Sequence, residues 1–474
     1  MAISEEKLRH LTQHTYGTWR AQKAWKKPIY IKDAEGVYLF DDTGKRYLDF
    51  SSQLMCSNIG HKNKVIIDAI VKQAQIMPYI GPVFAQGPME NAVDALLTVM
   101  PSGVDKFFFS TSGAEANEGA LIITRQYKAP SYKIISRYHS YHGGTAATMS
   151  LTGDPRRWFG ERARYSIDGV CFAPDAYCYR CPFGVTWPEC HDQCAEYVDY
   201  MLKEEGNVAA ILVEPVVGTN GRIVPSPTYL PKLRQICDAN DVLLICDEVM
   251  SGWYRTGAPF AVDNWDVVPD IITTAKGCTC AYTPVGITAT TQKIGDFFEE
   301  EPFMHGHTYA FHPLCLSAVA PAVSELKKLV ASGLPERVSL YLEKQLYDLA
   351  ERHICVGDAR GMGHFWALEI VKDRKTRERF NVKSDKFRKP LMTDKMMGEA
   401  LKAGLFLQDW YDTLIIAPPL IITEKQVDEG IEILDKVLTI ADQECVKTDV
   451  PPERTAEQFN KIVRDNWKKK RAKK

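Results

Sequence analysis

The chain has 474 residues, 45% of them hydrophobic and 25% charged, a balance that excludes a mainly disordered chain and a collagen-like or coiled-coil rod. Lys and Arg total 58 against 60 Asp and Glu, so the net charge of −2 gives no global pull toward nucleic acid or acidic membranes. The 13 cysteines are an odd number, and several sit inside apolar runs, as buried thiols of a reducing compartment would.

Met1 to His10 carries Glu5, Glu6, Lys7 and Arg9 with no apolar core behind them, which is not a secretory signal. No window reaches the roughly 18–20 apolar residues of a membrane span, and a cytoplasmic protein is expected. Tyr38–Asp41 and Tyr47–Phe50 read as a strand pair around the turn Asp42–Lys45. Short apolar runs then alternate with helical patterns. The runs are Phe107–Phe109, Tyr132–Ser136, Ala209–Val213, Val242–Cys246 and Ile271–Thr274; Ala114–Tyr127 and Leu230–Ala239 are helical. Strands apolar on both faces and separated by helices predict an α/β domain around a mainly parallel sheet. The last third changes character. Ala318–Ala331, Leu334–Arg352 and Lys395–Lys402 read as amphipathic helices, Phe365–Val371 and Thr413–Ala417 as strands. This predicts a large domain over 61–324 and a smaller α+β domain built from 1–60 and 325–474. After Trp467 comes a basic run, Lys468 to Lys474, read as a solvated tail with a nucleic-acid or lipid patch as the alternative.

In open α/β sheets, ligands bind at the carboxyl ends of the strands. Five successive runs end in polar or aromatic groups. They are Ser112–Gly113–Ala114–Glu115, Tyr141–His142–Gly143–Gly144, Glu214–Pro215, Asp247–Glu248 and Lys276–Gly277. Ser112 can cap the following helix, with Glu115 at the reciprocal capping-box position, and the free amides there can cradle a phosphate; a plain N-cap is the bland alternative. Asp247 ends a very apolar strand and needs a partner, either a protonated ring nitrogen or Arg255. Tyr141 can stack on a flat ligand or cap the core. Lys276 can form a Schiff base with a carbonyl or simply be solvated.

The order Ser-Gly-Ala-Glu-Ala-Asn-Glu, Tyr-His-Gly-Gly, Glu-Pro, Asp-Glu-Val, Ala-Lys-Gly resembles the class III (ω-) aminotransferases, enzymes of pyridoxal-phosphate fold type I. The match runs from about Asp41 to Leu420. The resemblance implies roles. Lys276 would carry the Schiff base to the cofactor and shuttle the proton. Asp247 would pair with the pyridine nitrogen, Val249 would pack beneath the ring, and Tyr141 would stack above it beside His142. Ser112, Gly113 and Ala114 would hold the phosphate, and Glu214 would lie on the substrate side. Thr308, in His305–Gly306–His307–Thr308–Tyr309, would reach the phosphate of a second subunit, implying a homodimer or a tetramer of two dimers. An amine donor and a keto acid, 2-oxoglutarate or pyruvate, would react in turn.

The chain departs from that pattern at Gln408, which stands where many relatives carry an arginine for the substrate carboxylate. Arg156 is the substitute expected here, with a surface arginine as the alternative. Trp19, Met55 and Trp410 suggest an aromatic-lined pocket. With Tyr179–Gly184 the overall pattern looks most like taurine aminotransferases, with β-alanine, GABA or a simple amine as alternative donors. A 2,1-aminomutase on the same fold is the rival reaction, and a non-catalytic scaffold the rival without one. Cys178, Cys181, Cys190 and Cys194, with His191, resemble zinc-ligand spacing; a zinc staple, buried thiols and disulfides are the three readings.

Overall fold

The computed structural model describes residues 3–471, and the side chains up to residue 467. The basic run after Trp467 therefore lies outside the described side chains. Fifteen strands occur in chain order: β1 (Ile31–Glu35), β2 (Tyr38–Asp41), β3 (Arg46–Asp49), β4 (Val104–Ser110), β5 (Lys133–Arg137), β6 (Val170–Ala173), β7 (Val208–Val213), β8 (Leu243–Asp247), β9 (Ile271–Thr274), β10 (Gly286–Thr291), β11 (Val356–Met362), β12 (Phe365–Ile370), β13 (Leu405–Phe406), β14 (Gln408–Trp410) and β15 (Thr413–Ile416).

Seven of them form the large sheet, in the order β4-β10-β9-β8-β7-β5-β6. Only β10 runs against the rest, antiparallel to both neighbours, so the sheet is mainly parallel, as the sequence predicts. Its strands bury both faces. Ile211, Val213, Leu244 and Cys246 join one core, while Ala210, Leu212, Leu243 and Ile245 join another. Alternate residues point to opposite faces, so a continuous apolar run is what a sheet covered on both sides requires.

The remaining strands make two four-stranded sheets. One, β1-β2-β3-β13, pairs the N-terminal strands with a C-terminal one through Leu48 and Leu405. The other is β11-β12-β15-β14. The helices Leu334–Arg352 and Glu424–Asp442 cover these sheets, and Phe50, Leu342, Trp366 and Leu434 share their core. Strand β11 was not expected, because Val-Gly-Asp-Ala-Arg-Gly-Met shows no apolar run. It is nevertheless fully buried. Arg360 there sits between Asp358 at 2.9 Å and Glu369 at 2.6 Å. Ion pairing lets polar residues occupy a core strand.

Among the described residues no helix is long and apolar enough to cross a membrane.

Candidate active site

The carboxyl ends of β4, β5, β7, β8 and β9 lie on one edge of the large sheet, since all five point the same way. The five motifs therefore meet there. Asp247 is the last residue of β8 and is 3% exposed. Its Oδ2 accepts hydrogen bonds from Asn117 Nδ2 at 2.8 Å and lies 2.8 Å from His142 Nδ1. Its Oδ1 accepts the amide of Val249 at 3.0 Å. Arg255, the alternative partner, turns away and donates to Pro418 O at 2.5 Å and Asn58 Oδ1 at 2.6 Å. Asn117 Nδ2 also donates to His142 O at 2.9 Å, while Thr273 Oγ1 donates to Asn117 Oδ1 at 2.7 Å. Asn117 was not anticipated. The signal was its place four residues after Gly113, one helical turn on and on the same face.

Lys276 follows β9 and is half-buried, with a left-handed φ of 49°. Its Nζ donates to Leu54 O at 2.9 Å. Burial pulls its pKa below that of an ordinary lysine, with the positive charges of Arg222 and Arg156 adding to the effect against Asp247 and Cys56. Such an amine loses its proton more easily, as a nucleophile or base must. Glu214, just after β7, is fully buried. Its Oε1 accepts the Tyr141 amide at 3.0 Å and its Oε2 the Gly218 amide at 2.7 Å. Burial pushes its pKa up to about 7.

The helix Gly113–Tyr127 starts after Ser112, whose hydroxyl accepts the Glu115 amide at 3.1 Å. The expected reciprocal bond is displaced by one residue: Glu115 Oε2 accepts the amide of Thr111, at 2.8 Å, and not that of Ser112. The amides of Gly113 and Ala114 donate no hydrogen bond. A Cβ on Gly113 would lie 2.9 Å from both methyls of Val249. The helix start, Val249 and Asp247 thus form a tight pocket floor.

Arg156 is 6% exposed and paired with Asp154. Its guanidinium lies 3.7 Å from the centre of the Tyr141 ring, 4.1 Å from Trp410 and 5.3 Å from Trp19. It is therefore not a surface arginine. Trp19 also meets Tyr141 edge-on, at 6.2 Å. Met55 is buried next to Leu54. Gln408 is half-buried on β14, its amide donating to Ser51 Oγ at 3.0 Å. Thr308 is exposed, its carbonyl accepting the Tyr79 hydroxyl at 2.9 Å.

All thirteen cysteines are free. Among the described residues no three His, Cys, Asp or Glu side chains are grouped so as to hold a metal ion. Burial pushes the Cys178 thiol up to about 12, with Cys190 and Cys181 adding to the shift, and raises Cys194 further.

Residues 20–438 match the family model for class III aminotransferases. The chain belongs to the class III aminotransferases. It is similar to a putrescine–pyruvate aminotransferase of Pseudomonas aeruginosa, 35% identical over 427 residues that cover 86% of this chain and 90% of the relative. A taurine–pyruvate aminotransferase of Bilophila wadsworthia is 32% identical over 463 residues, covering 92% and 95%. Among solved structures, a taurine:2-oxoglutarate aminotransferase of Bifidobacterium kashiwanohense, in complex with pyridoxal phosphate and glutamate, superposes with a TM-score of 0.87. That enzyme is 35% identical, and the match covers 94% of this chain and all of the other. The protein is thus a transaminase of fold type I that depends on pyridoxal phosphate. Its residues fit that cofactor. A buried Asp247 without a lysine or arginine partner suits a protonated pyridine, and the free amides of Gly113 and Ala114 suit a phosphate.

Proposed function

We propose that this transaminase takes its amino group from a short ω-amine that carries an acid group at its other end, taurine first and β-alanine or GABA next. The acceptor is 2-oxoglutarate or pyruvate. The observation that carries this reading is Arg156, a buried guanidinium held by Asp154 and framed by Tyr141, Trp410 and Trp19. Its Nη1 makes no hydrogen bond and remains for a sulfonate or carboxylate. Gln408 supplies no charge, so the acid end is held from the Arg156 side. The names of two of the relatives above, both taurine aminotransferases, support the same choice; putrescine, which has no acid group, is the donor it disfavours.

Pyridoxal phosphate, when bound, supplies a ring that withdraws electrons and makes the carbon next to the amine acidic. The chain does the rest. Asp247 keeps a proton on the pyridine nitrogen, and His142 and Asn117 orient its carboxylate. Lys276 Nζ is the covalent anchor and then the base that moves the proton of the donor carbon. Ser112, Gly113 and Ala114 hold the phosphate, Val249 and Tyr141 enclose the ring, and Glu214 bounds the substrate side. Trp19 and Met55 wall the donor pocket. Thr308 of one subunit serves the phosphate site of the other in a homodimer, so each site needs both chains. On this reading 61–324 forms the cofactor domain, 1–60 and 325–474 form the smaller one, and the enzyme works in the cytoplasm.

The test is a donor screen with taurine, β-alanine, GABA and putrescine against both acceptors, in wild type and Arg156→Leu. Turnover of the acid-bearing donors with a KM raised at least about tenfold by Arg156→Leu is expected. A preference for putrescine, or an unchanged KM, would remove the basis for the donor reading. Isomerisation without an acceptor would point to the aminomutase.

A further inference from the structure

We propose a second acid-binding subsite against Trp410, in which the amine of Lys383 receives a carboxylate or sulfonate group. A small cleft, partly open to solvent, lies there, lined by Lys383, Lys386, Arg379, Trp410, Tyr177 and Asn220 among others. Two of its lining cations already have acids of their own. Arg379 pairs with Asp412 at 2.5 Å and Lys386 with Asp409 at 3.3 Å, while His139 Nδ1 lies 2.7 Å from Asp175. Lys383 is half-buried, and its amine makes neither a hydrogen bond nor an ion pair. Holding an ammonium group in such a place costs free energy unless an anion joins it. Burial, helped by the charge of Arg379, lowers its pKa against the pull of Asp175, Asp154 and Asp412, and an acid group bound directly to the amine would raise it again.

The cavity adjoins the donor pocket. Trp410 Nε1 donates to Asn220 Oδ1 at 2.9 Å, and Asn220 Nδ2 donates to Asp154 Oδ2 at 3.2 Å, the carboxylate that holds Arg156. The Trp410 ring also carries Lys386 at 5.1 Å, as it carries Arg156 at 4.1 Å. Trp410 thus lines the Lys383 cavity and also stacks on Arg156, so the two sites share one indole. A dicarboxylic keto acid has two acid groups a few carbons apart, which is the chemistry such a pair selects. The ligand group is either the distal carboxylate of the acceptor or a free small anion. The first alternative rests on the donor-pocket reading; the subsite itself does not.

Titration calorimetry of the holoenzyme with succinate tests the subsite. Lys383→Gln should weaken succinate binding about tenfold, Lys383→Arg should retain it, and Lys389→Gln, an exposed lysine paired with Asp385 on the same segment, should leave it unchanged. A KM for 2-oxoglutarate that rises in Lys383→Gln more than that for pyruvate identifies the distal carboxylate; loss of succinate affinity with both KM values unmoved identifies a free anion. Equal succinate affinity in wild type and Lys383→Gln, or no binding in either, would overturn the subsite. If wild type turns over no donor, the transfer reading fails, while the succinate titration still decides this one.

Discussion

Asp247 carries no lysine or arginine, yet its three hydrogen bonds make its buried charge tolerable. Asn117 is the hub, because one amide serves Asp247, the His142 carbonyl and Thr273 at once. Asn117→Ala should therefore lower the folding free energy by about 1–3 kcal/mol. In urea, this appears as a lower midpoint at unchanged slope; an unshifted midpoint would mean the network carries no weight. A second buried carboxylate gives a pH signature. Burial pushes the pKa of Glu248 up to about 7, despite donors from Ser251 at 2.5 Å and Val262 at 2.8 Å. Between the ordinary glutamate value of 4.5 and about 7, the folded protein keeps a proton that the unfolded chain releases. Stability from this group is therefore greatest at low pH and is lost as pH rises through that window, by up to about 1.4 kcal/mol per pH unit. Glu214 titrates in the same window. Glu248→Gln should accordingly make the decline shallower, with Glu214 and Asp412 supplying the remainder, measured as urea midpoints from pH 5 to pH 8. A variant with the wild-type slope would show that Glu248 is ionised throughout.

At the level of elements, the helix start at Gly113 and the loop after β8 fit each other so closely that neither can grow alone. Gly113→Ala places a methyl 2.9 Å from both branches of Val249 and should weaken cofactor retention about tenfold. Val249→Ala in the same chain should restore it, as a dialysis series of the two variants would show. Failure of the second substitution to rescue would rule out this contact as the cause. What could be read from sequence here was the set of strand ends, because apolar runs and the polar groups after them are local signals. Strand β10 escaped because Gly-Ile-Thr-Ala-Thr-Thr has only one apolar side chain, Ile287, beyond alanine's methyl, and its place between β4 and β9 follows from long-range pairing. Strand β11 escaped because its charges are buried and paired with residues on β12, which no local pattern reveals. The positions of Arg156 and of the 177–180 turn, whose Arg180 reaches Glu369 at 2.5 Å, were likewise set by partners far along the chain.

Across the molecule as a whole, two neighbouring segments expose large apolar side chains. Val83 and Phe84 are 84% and 57% exposed, and Met304 and Tyr309 are 72% and 58% exposed. The two segments touch: Tyr79 meets Tyr309 edge-on at 6.1 Å and holds the Thr308 carbonyl, and Gln86 Nε2 donates to Phe311 O at 2.9 Å. Contiguous apolar surface of this kind is rare on monomers and is covered in assemblies. A two-fold dimer would bury the patch on both chains at once, and the proposed role of Thr308 requires such a partner. Sedimentation should give at least two chains per particle. Phe84→Glu places a charge in the middle of the covered face, where desolvating it costs several kcal/mol, and should shift the particle toward a single chain. If each site borrows Thr308, as proposed above, amine transfer should fall with the dimer fraction as the variant is diluted. Full activity in a sedimenting monomer would remove Thr308 from the site.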